Sequence, residues 1–459
     1  MWIKIEMVED VSSEPVVWLP KSLFEKTGKT AIMNFGLRKV FVKINKLENG
    51  LANLGKKFDH PFTISLSKSI VDKLLIKLSN TYQIKISHSK ISLGPVIALL
   101  LGEQQYYYHN RAMGEYTDAM SWYKSTGGLI CAFKACSINW DEECAYGMFY
   151  NHEEHKWDYG KLPLPSVVYR RAYNIPYENV EKLKAATGGK VFNSRRFSKW
   201  QMYKQLKNNS LLSQHLPDTK TLKSFDTLNQ FLQKYEKIIL KPTGLSRGRG
   251  ICIVEKLSEN LWLLSDYHDG TELTQCEFSK QELITYITEA KMTEKNYIIQ
   301  PYLSLANIDG SPWDIRVVMQ KNTQSEWQCH GIECRLAGSG DLVTNISRGG
   351  SALPISKALK LSFGSETKTS NIKKEIIDLC KKLASELEKD DDIFAELGVD
   401  IAMDNEMNYW IIEANVRPTY NGFKKHMRYN NYLYLCSAPI AFAGYLAGFE
   451  RGNPHDSES

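Results

Sequence analysis

Apolar runs of strand length recur along this chain, and the polar residues between them predict how the runs pair. The sharpest case is residues 394–423. Two apolar runs, 398–403 and 409–415, flank the turn-rich Asp404-Asn405-Glu406-Met407-Asn408. That pattern predicts a β-hairpin with a loop of about five residues. Strand alternation puts Glu413 and Asn415 on one face. Closure about Glu406 sets Asp400 near Ile412 and Glu413, and one residue of slack brings it onto their face. Upstream, residues 93–102, 127–133 and 164–169 are unbroken apolar runs, as in parallel strands covered on both sides, with room for helices between them. Residues 238–242 and 251–254 read as strands joined by a glycine-rich turn. A helix opens at a Ser198 N-cap, with Trp200, Tyr203 and Leu206 facing a core. A second, over residues 370–390, carries Ile372, Ile376, Leu379, Leu383 and Leu387 as its buried stripe.

The first 92 residues contain a pattern given twice. The octads 19–26 and 66–73 share L-x-K-S-[LI]-x-[ED]-K at an offset of 47 residues. Each follows a β-rich run and precedes more strand-like sequence. A strand, a short helix and further strands, duplicated, predict a small pseudo-symmetric β-barrel. Nothing in it looks catalytic, and it reads as a docking or binding module.

Composition narrows the class. A chain of 459 residues is long enough for two to four domains. It has no apolar run of membrane-spanning length, and its charged N-terminus is not a signal peptide. Its nine cysteines are scattered singly without framework spacing, which fits free thiols in a reducing, cytoplasmic setting. The formal charge of +6 permits anionic ligands but does not argue for nucleic acid. His152-Glu153-Glu154-His155 invites a zinc reading, but its histidines are three apart where the helical motif needs four. A solvated loop is expected there. The aromatic cluster at residues 104–109 follows the first apolar run. It is either a core or interface feature or a ligand contact.

The candidate chemistry lies in the second half. Asp400, Glu413 and Asn415 would form a patch of hard oxygen ligands suited to Mg²⁺. Taken alone, the patch is equally the polar outer face of an ordinary hairpin. Arg417, just beyond, adds a guanidinium that could hold an anionic group. Lys241 precedes a turn containing Gly244, Ser246, Gly248 and Gly250 with Arg247 and Arg249 between them. Backbone N–H groups of such a flap can approach phosphates, although this is not a Walker loop, which leads into a helix. Residues 296–303 form a strand ending at Gln300-Pro301-Tyr302, a bend that can present backbone groups to an adenine edge. Asp314 and Arg316 share a strand face, and Glu333-Cys334-Arg335 places another arginine on a strand. Residues 344–350 form a polar loop with paired glycines.

The order of these signals resembles the ATP-grasp superfamily: a capped helix with lysine, LKP and a glycine flap, IIQPY, DIR, R…N…GG, GVD and EAN-x-RP. Within it, FNSRRFSKWQMY, PWDIRVVMQK, GIECRLAGSGDLVTNISRGG and FAELGVDIAMD…WIIEANVRPTYNGF look like the YheC/YheD family of endospore coat-associated proteins. The resemblance covers residues 93–450 well and the first 90 only loosely. It implies an α+β and α/β architecture. A β-rich docking barrel (1–92) and an α/β pre-ATP-grasp domain (93–195) would precede an ATP-grasp fold of two α+β subdomains (196–450), with a disordered tail (451–459). It further implies that Lys199 and Lys241 hold the phosphates of ATP, and that Gly244, Ser246, Gly248 and Gly250 form the flap. Gln300, Pro301 and Tyr302 would lie at the adenine hinge. Asp400, Glu413 and Asn415 would bind one or two Mg²⁺, and Arg316, Arg335 and Arg417 would steady the γ-phosphate and an acyl phosphate. The implied reaction joins a carboxylate to an amine, on a peptide or a spore-coat component, with release of ADP and phosphate. Two rivals share the motifs: a kinase on the same fold, and a nucleotide-binding coat protein without turnover. Association with the spore coat or mother cell follows from the resemblance alone.

Overall fold

The computed structural model of the chain describes residues 1–10, 14–47, 55–103, 110–245, 248–267, 273–338, 340–341, 344, 349–364, 369–388 and 392–449. Its N-terminal strands close into a seven-stranded barrel. The strand order is Trp2–Val8, Phe62–Ser67, Val16–Leu19, Arg38–Lys46, Thr30–Phe35, Lys90–Gly94 and Tyr82–Ser87, with Ile3 against Tyr82 completing the ring. Alternating inward residues such as Ile3, Val17, Met33, Val42, Ile64 and Ile84 fill it. The duplicated octads form the two equivalent helices, Lys21–Phe24 and Lys68–Leu74, each entered from a strand. Those entering strands pair antiparallel, Val17 opposite Leu66. The third strand of each half differs. Arg38–Lys46 pairs in parallel with Val16–Leu19, but its spatial counterpart beside Phe62–Ser67 is the N-terminal strand Trp2–Val8. Closing the ring with the chain's own start explains why the repeat shows only in the strand–helix part.

A six-stranded sheet follows, in the order Lys156–Pro163, Cys144–Asn151, Leu129–Asn139, Val96–Leu101, Val167–Arg170 and Val191–Phe192. The three apolar runs form its parallel centre. Between the second and third of them, an antiparallel pair adds an edge where a helix was expected. The His152–His155 segment is the turn of that pair, and it is only partly a solvated loop. His155 is exposed, but the His152 ring stacks on Tyr123 with centroids 4.5 Å apart. Burial, then His155, pushes the His152 pKa down to about 4. The aromatic cluster at 104–109 lies outside the described residues, as does the tail.

The second half contains two antiparallel sheets. The first runs Lys220–Thr221, Tyr297–Pro301, Lys237–Pro242, Ile251–Ser258, Leu261–Tyr267 and Thr274–Ser279, with helices Phe225–Lys234 and Lys280–Glu289 packed on it. The second runs Ser351–Leu353, Trp327–Leu336, Ser311–Lys321, Glu396–Met403 and Tyr409–Asn415. Helix Thr369–Leu387 buries the expected stripe, Ile372 to Leu387, against one face of the second sheet. On the other face lies helix Tyr429–Leu446, which also packs Ile440, Phe442 and Ala443 on the parallel sheet. Among the described residues no helix is long and apolar enough to cross a membrane, and all nine cysteines are free thiols.

Candidate functional site

The two antiparallel sheets, the parallel sheet and the C-terminal helices enclose a cavity of about 1490 Å³. Its floor is the hairpin over residues 396–415. Asp404 shapes the loop: its carboxylate accepts from the backbone N–H of Glu406 (3.0 Å) and Asn408 (2.8 Å) and from the Trp410 indole (2.9 Å). A polar side chain bonding its own turn in this way fixes where the two strands reverse. The register then runs Met403 to Tyr409, Ala402 to Trp410 and Ile401 to Ile411, and shifts by one so that Asp400 faces Glu413 and Gly398 faces Asn415. A β-bulge at Ile412 supplies the shift.

Alternate residues of strand Glu396–Met403 share the sheet face that carries Asp400 into the site, and each has a distinct task. Asp400 is buried and accepts from Arg316 Nε at 2.5 Å and Nη2 at 3.1 Å, with Arg335 Nη2 also 3.1 Å away. Burial raises its pKa above the ordinary carboxyl value, Arg316 and Arg335 pull it down, and Glu413 and Asp314 add to the rise. Gly398, two residues back, makes room. A Cβ there would lie 2.9 Å from Pro418 Cβ and 3.1 Å from Arg316 Nη1. Glu396 is fully buried and anchors the strand. It accepts from Arg171 Nη1 at 2.8 Å and from the hydroxyls of Tyr169 and Tyr420.

Arg335 donates from Nε and Nη2 to Asp314, at 2.7 and 2.5 Å. Arg335 and Asp314 stand opposite one another, as do Arg316 and Asp400. Two bidentate guanidinium–carboxylate pairs thus lie on adjacent rungs of one sheet, an arrangement that holds both arginines rigid at the cavity surface.

The remaining cations come from elsewhere. Ser198 caps helix Lys199–Leu206 in a reciprocal box with Gln201. Lys199, its first residue, reaches Glu413 Oε2 at 3.1 Å and donates to the Leu245 carbonyl of the flap at 2.9 Å. It therefore ties flap to hairpin. Burial alone would raise the Glu413 pKa, but Lys199 and the Asn415 amide, which donates at 2.8 Å, hold it at about 2. Lys241, on the flap strand, is half-buried, and its pKa is pushed down to about 8 by desolvation and then by Lys199, with Glu413 opposing. Lys199 thus holds the ion pair with Glu413, and Lys241 lies near enough to feel both charges. Nine Lys and Arg against five Asp and Glu line the cavity among the described residues, so its electrostatics favour an anionic guest.

The sequence model of the YheC/D like ATP-grasp family matches residues 188–446, more than half of the chain. The chain belongs to the YheC/D-like ATP-grasp family. Among curated proteins of Bacillus subtilis (strain 168), it is similar to the endospore coat-associated protein YheD, with 24% identity over 375 residues, covering 78% of this chain and 80% of YheD. It is likewise similar to the endospore coat-associated protein YheC, with 24% identity over 314 residues, 65% of this chain and 82% of YheC. A solved structure of the ATP-grasp ligase PsnB, complexed with its precursor peptide PsnA2 and AMPPNP, aligns with 76% of this chain and 98% of its own at 14% identity and a TM-score of 0.43.

In this ATP-grasp chain the two antiparallel sheets are the two α+β subdomains, preceded by the α/β sheet and the barrel. Lys199, Lys241, Gly244, Gly248, Gln300, Pro301, Tyr302, Arg316, Arg335, Asp400, Glu413, Asn415 and Arg417 all line the one cavity. Gly250 does not. It sits at the foot of the flap with φ +66°, where a Cβ would meet the Tyr297 hydroxyl at 2.9 Å. Ser246 and Arg247 lie outside the described residues, as does most of the 344–350 loop. The Gln300 side chain donates to Thr219 Oγ1 at 2.8 Å. Met202 and Leu206 are the buried residues of the capped helix, while Trp200 and Tyr203 are half-buried and stack on each other, 5.5 Å apart. The sequence reading missed Glu333, Arg171, Tyr169 and Lys424 on the cavity wall. Only Glu333 carried a local signal, being two residues from Arg335 on the same strand face.

Proposed function

We propose that this chain is an ATP-dependent carboxylate–amine ligase. The observation that carries the proposal is the convergence of Lys199 and Lys241, the two guanidinium–carboxylate pairs and the Asp400–Glu413–Asn415 patch on one cavity roofed by a glycine flap. A substrate carboxylate would attack the γ-phosphoryl of ATP to give an acyl phosphate and ADP, and an amine would then displace phosphate to form the amide. Such chemistry needs alignment and charge neutralisation more than a protein nucleophile. Lys199 and Lys241 are suited to the phosphates, Arg316, Arg335 and Arg417 to the transferred group, and the backbone around Pro301 and Tyr302 to adenine. The flap would exclude water from the acyl phosphate.

The donor set fits Mg²⁺. Two carboxylates and an amide carbonyl are hard oxygen ligands, and Asn415 spends its amide nitrogen on Glu413, so the atom it offers a cation is the carbonyl oxygen. When bound, the ion would neutralise phosphate charge. The names of YheD and YheC favour a place at the spore coat, and with it a coat component as substrate. They also favour a second reading, a coat protein that binds nucleotide without turnover. Calorimetric titration with ATP, with and without Mg²⁺, tests the site. Metal-dependent binding, followed by ADP release that rises on adding carboxylate and amine mixtures, is the expected result. Binding that no acceptor converts into ADP release would favour the second reading, and no binding by the folded chain would end both.

A further inference from the structure

The cavity wall carries a carboxylate to which the proposed nucleotide contacts assign no part. Four charged residues stand in one row across four neighbouring strands: Glu333 opposite Arg316, Arg316 opposite Asp400, and Asp400 opposite Glu413. Directly opposed residues share a sheet face, so Glu333 faces the cavity with the other three. It is 2% exposed. Its strand neighbour Arg316 is committed to Asp400 by two hydrogen bonds. Lys424, also on the cavity wall, lies 2.9 Å from Asp118, which also accepts from the Tyr432 hydroxyl at 2.8 Å. Glu333 pairs instead with His426, whose Nε2 is 2.9 Å from Oε2 and which is cationic only when protonated. Gly422 lets the chain close over this pair, since a Cβ there would lie 2.4 Å from both Glu333 oxygens.

A buried carboxylate beside an imidazole, with the surrounding cations paired elsewhere, favours a cation of its own. We propose that Glu333 docks the primary ammonium group of the acceptor substrate, with His426 holding the carboxylate in place. This rests on the ligase reading above. A compact ammonium with three N–H donors suits a carboxylate that is already held on one side. A carboxylate or phosphate at this point would be repelled. The position also suits the reaction order: Glu333 lies one strand from Arg316, so an amine held there would be beside the place where the acyl phosphate forms.

The test uses the full chain saturated with Mg²⁺ and AMPPNP, with glycinamide as the amine probe and N-acetylglycinamide as its uncharged control, followed by ligand-observed NMR. Wild type should bind glycinamide in preference to the control. Glu333→Gln should weaken glycinamide about tenfold or more, the size of a lost hydrogen bond to a charged group, with AMPPNP affinity unchanged. Glu333→Asp keeps the charge but withdraws it by one methylene, and should fall between the two. That variant keeps the proposal open to refutation if the glutamine variant fails to fold. Equal glycinamide affinity in wild type and variants, or no preference for glycinamide over the control, overturns the amine site and leaves the nucleotide site standing. Failure of wild type to bind AMPPNP would instead remove the ligase reading and this inference with it.

Discussion

Asp400 and Glu413 stand directly opposite each other on paired strands, and the bulge at Ile412 is what brings them there. Without that extra residue Glu413 would turn to the helix-covered side of the sheet. The two carboxylates are nonetheless held differently, Asp400 by the arginines and Glu413 by Lys199. Glu413→Ala should therefore remove the Mg²⁺ dependence of ATP binding and lower ADP release on the order of 10²-fold, while leaving a cooperative unfolding transition. Calorimetry, a coupled ADP assay and a circular-dichroism melt check the three parts. Undiminished ADP release would take Glu413 out of the metal site.

Lys241 makes a prediction about pH. Its pKa in the fold is about 8, against about 10.4 for an ordinary lysine. Between those values the unfolded chain binds more protons than the folded one. The stability contribution is thus present above the unfolded value and lost as pH falls through 8. A phosphate beside Lys241 favours the ammonium form, so ATP binding near pH 8 should take up a proton. Calorimetry in two buffers of different ionisation enthalpy measures this directly, and Lys241→Met should abolish it. Lys241→Ala should also weaken ATP more than adenosine. Equal losses for both ligands would mean that Lys241 only packs.

Gly398 is the position where added bulk should act on Arg316 without adding or removing a charge. A Cβ there would press on Pro418 and on the Arg316 guanidinium. Gly398→Val should displace both while Asp400 and Glu413 keep their register, because the strand itself can accept valine. Misplacing an aligning group by about 1 Å can cost on the order of 10²-fold in rate. ADP release should fall by that order while the far-ultraviolet spectrum stays unchanged. Wild-type turnover in this variant would show that Arg316 does not align the transferred group.

Much of the site was legible because it is local. The turn residues 404–408 and period-two alternation placed Asp400 near Glu413, and the one residue of slack in that register is the bulge. Asp314 and Arg316 were readable as neighbours on one face for the same reason. The Ser198 cap placed Lys199 at the start of its helix, and the family resemblance alone pointed it to the site. What could not be read depends on contacts distant in sequence. Glu333 gains its meaning from His426 and Gly422, about a hundred residues on, and Arg171 from Glu396 across two sheets. The capped helix was read in part: of the expected Trp200, Tyr203 and Leu206, Leu206 is buried and Tyr203 packs against the core. The other buried position is Met202, four residues before Leu206, as one side of a helix requires.

The Arg171–Glu396 pair is one link between the parallel sheet and the hairpin sheet, beside the hydrogen bonds of Asn193 with Ile393, Ala395 and Val416, and its energetics can be separated from catalysis. Both side chains are buried, the hydroxyls of Tyr169 and Tyr420 and the Gln320 amide (3.5 Å) also donate to the carboxylate, and the Gln320 amide donates to the Tyr420 hydroxyl at 3.0 Å. Removing one charge from such a pair strands the other, typically at ~3–5 kcal/mol, whereas replacing both by apolar groups of similar size is far less costly. Glu396→Leu should accordingly lower the unfolding midpoint sharply. Arg171→Met combined with Glu396→Leu should recover much of the loss, giving a clearly non-additive double-mutant cycle. Because Tyr420 lies three residues beyond Arg417, the single variant should also loosen the segment that carries Arg417 into the cavity. Faster amide hydrogen exchange across residues 416–422 in Glu396→Leu would report that loosening. Additive stability changes in the cycle, or unaltered exchange, would mean that the two sheets are held together by the apolar contacts of helix Tyr429–Leu446 and the Asn193 hydrogen bonds and not by this pair.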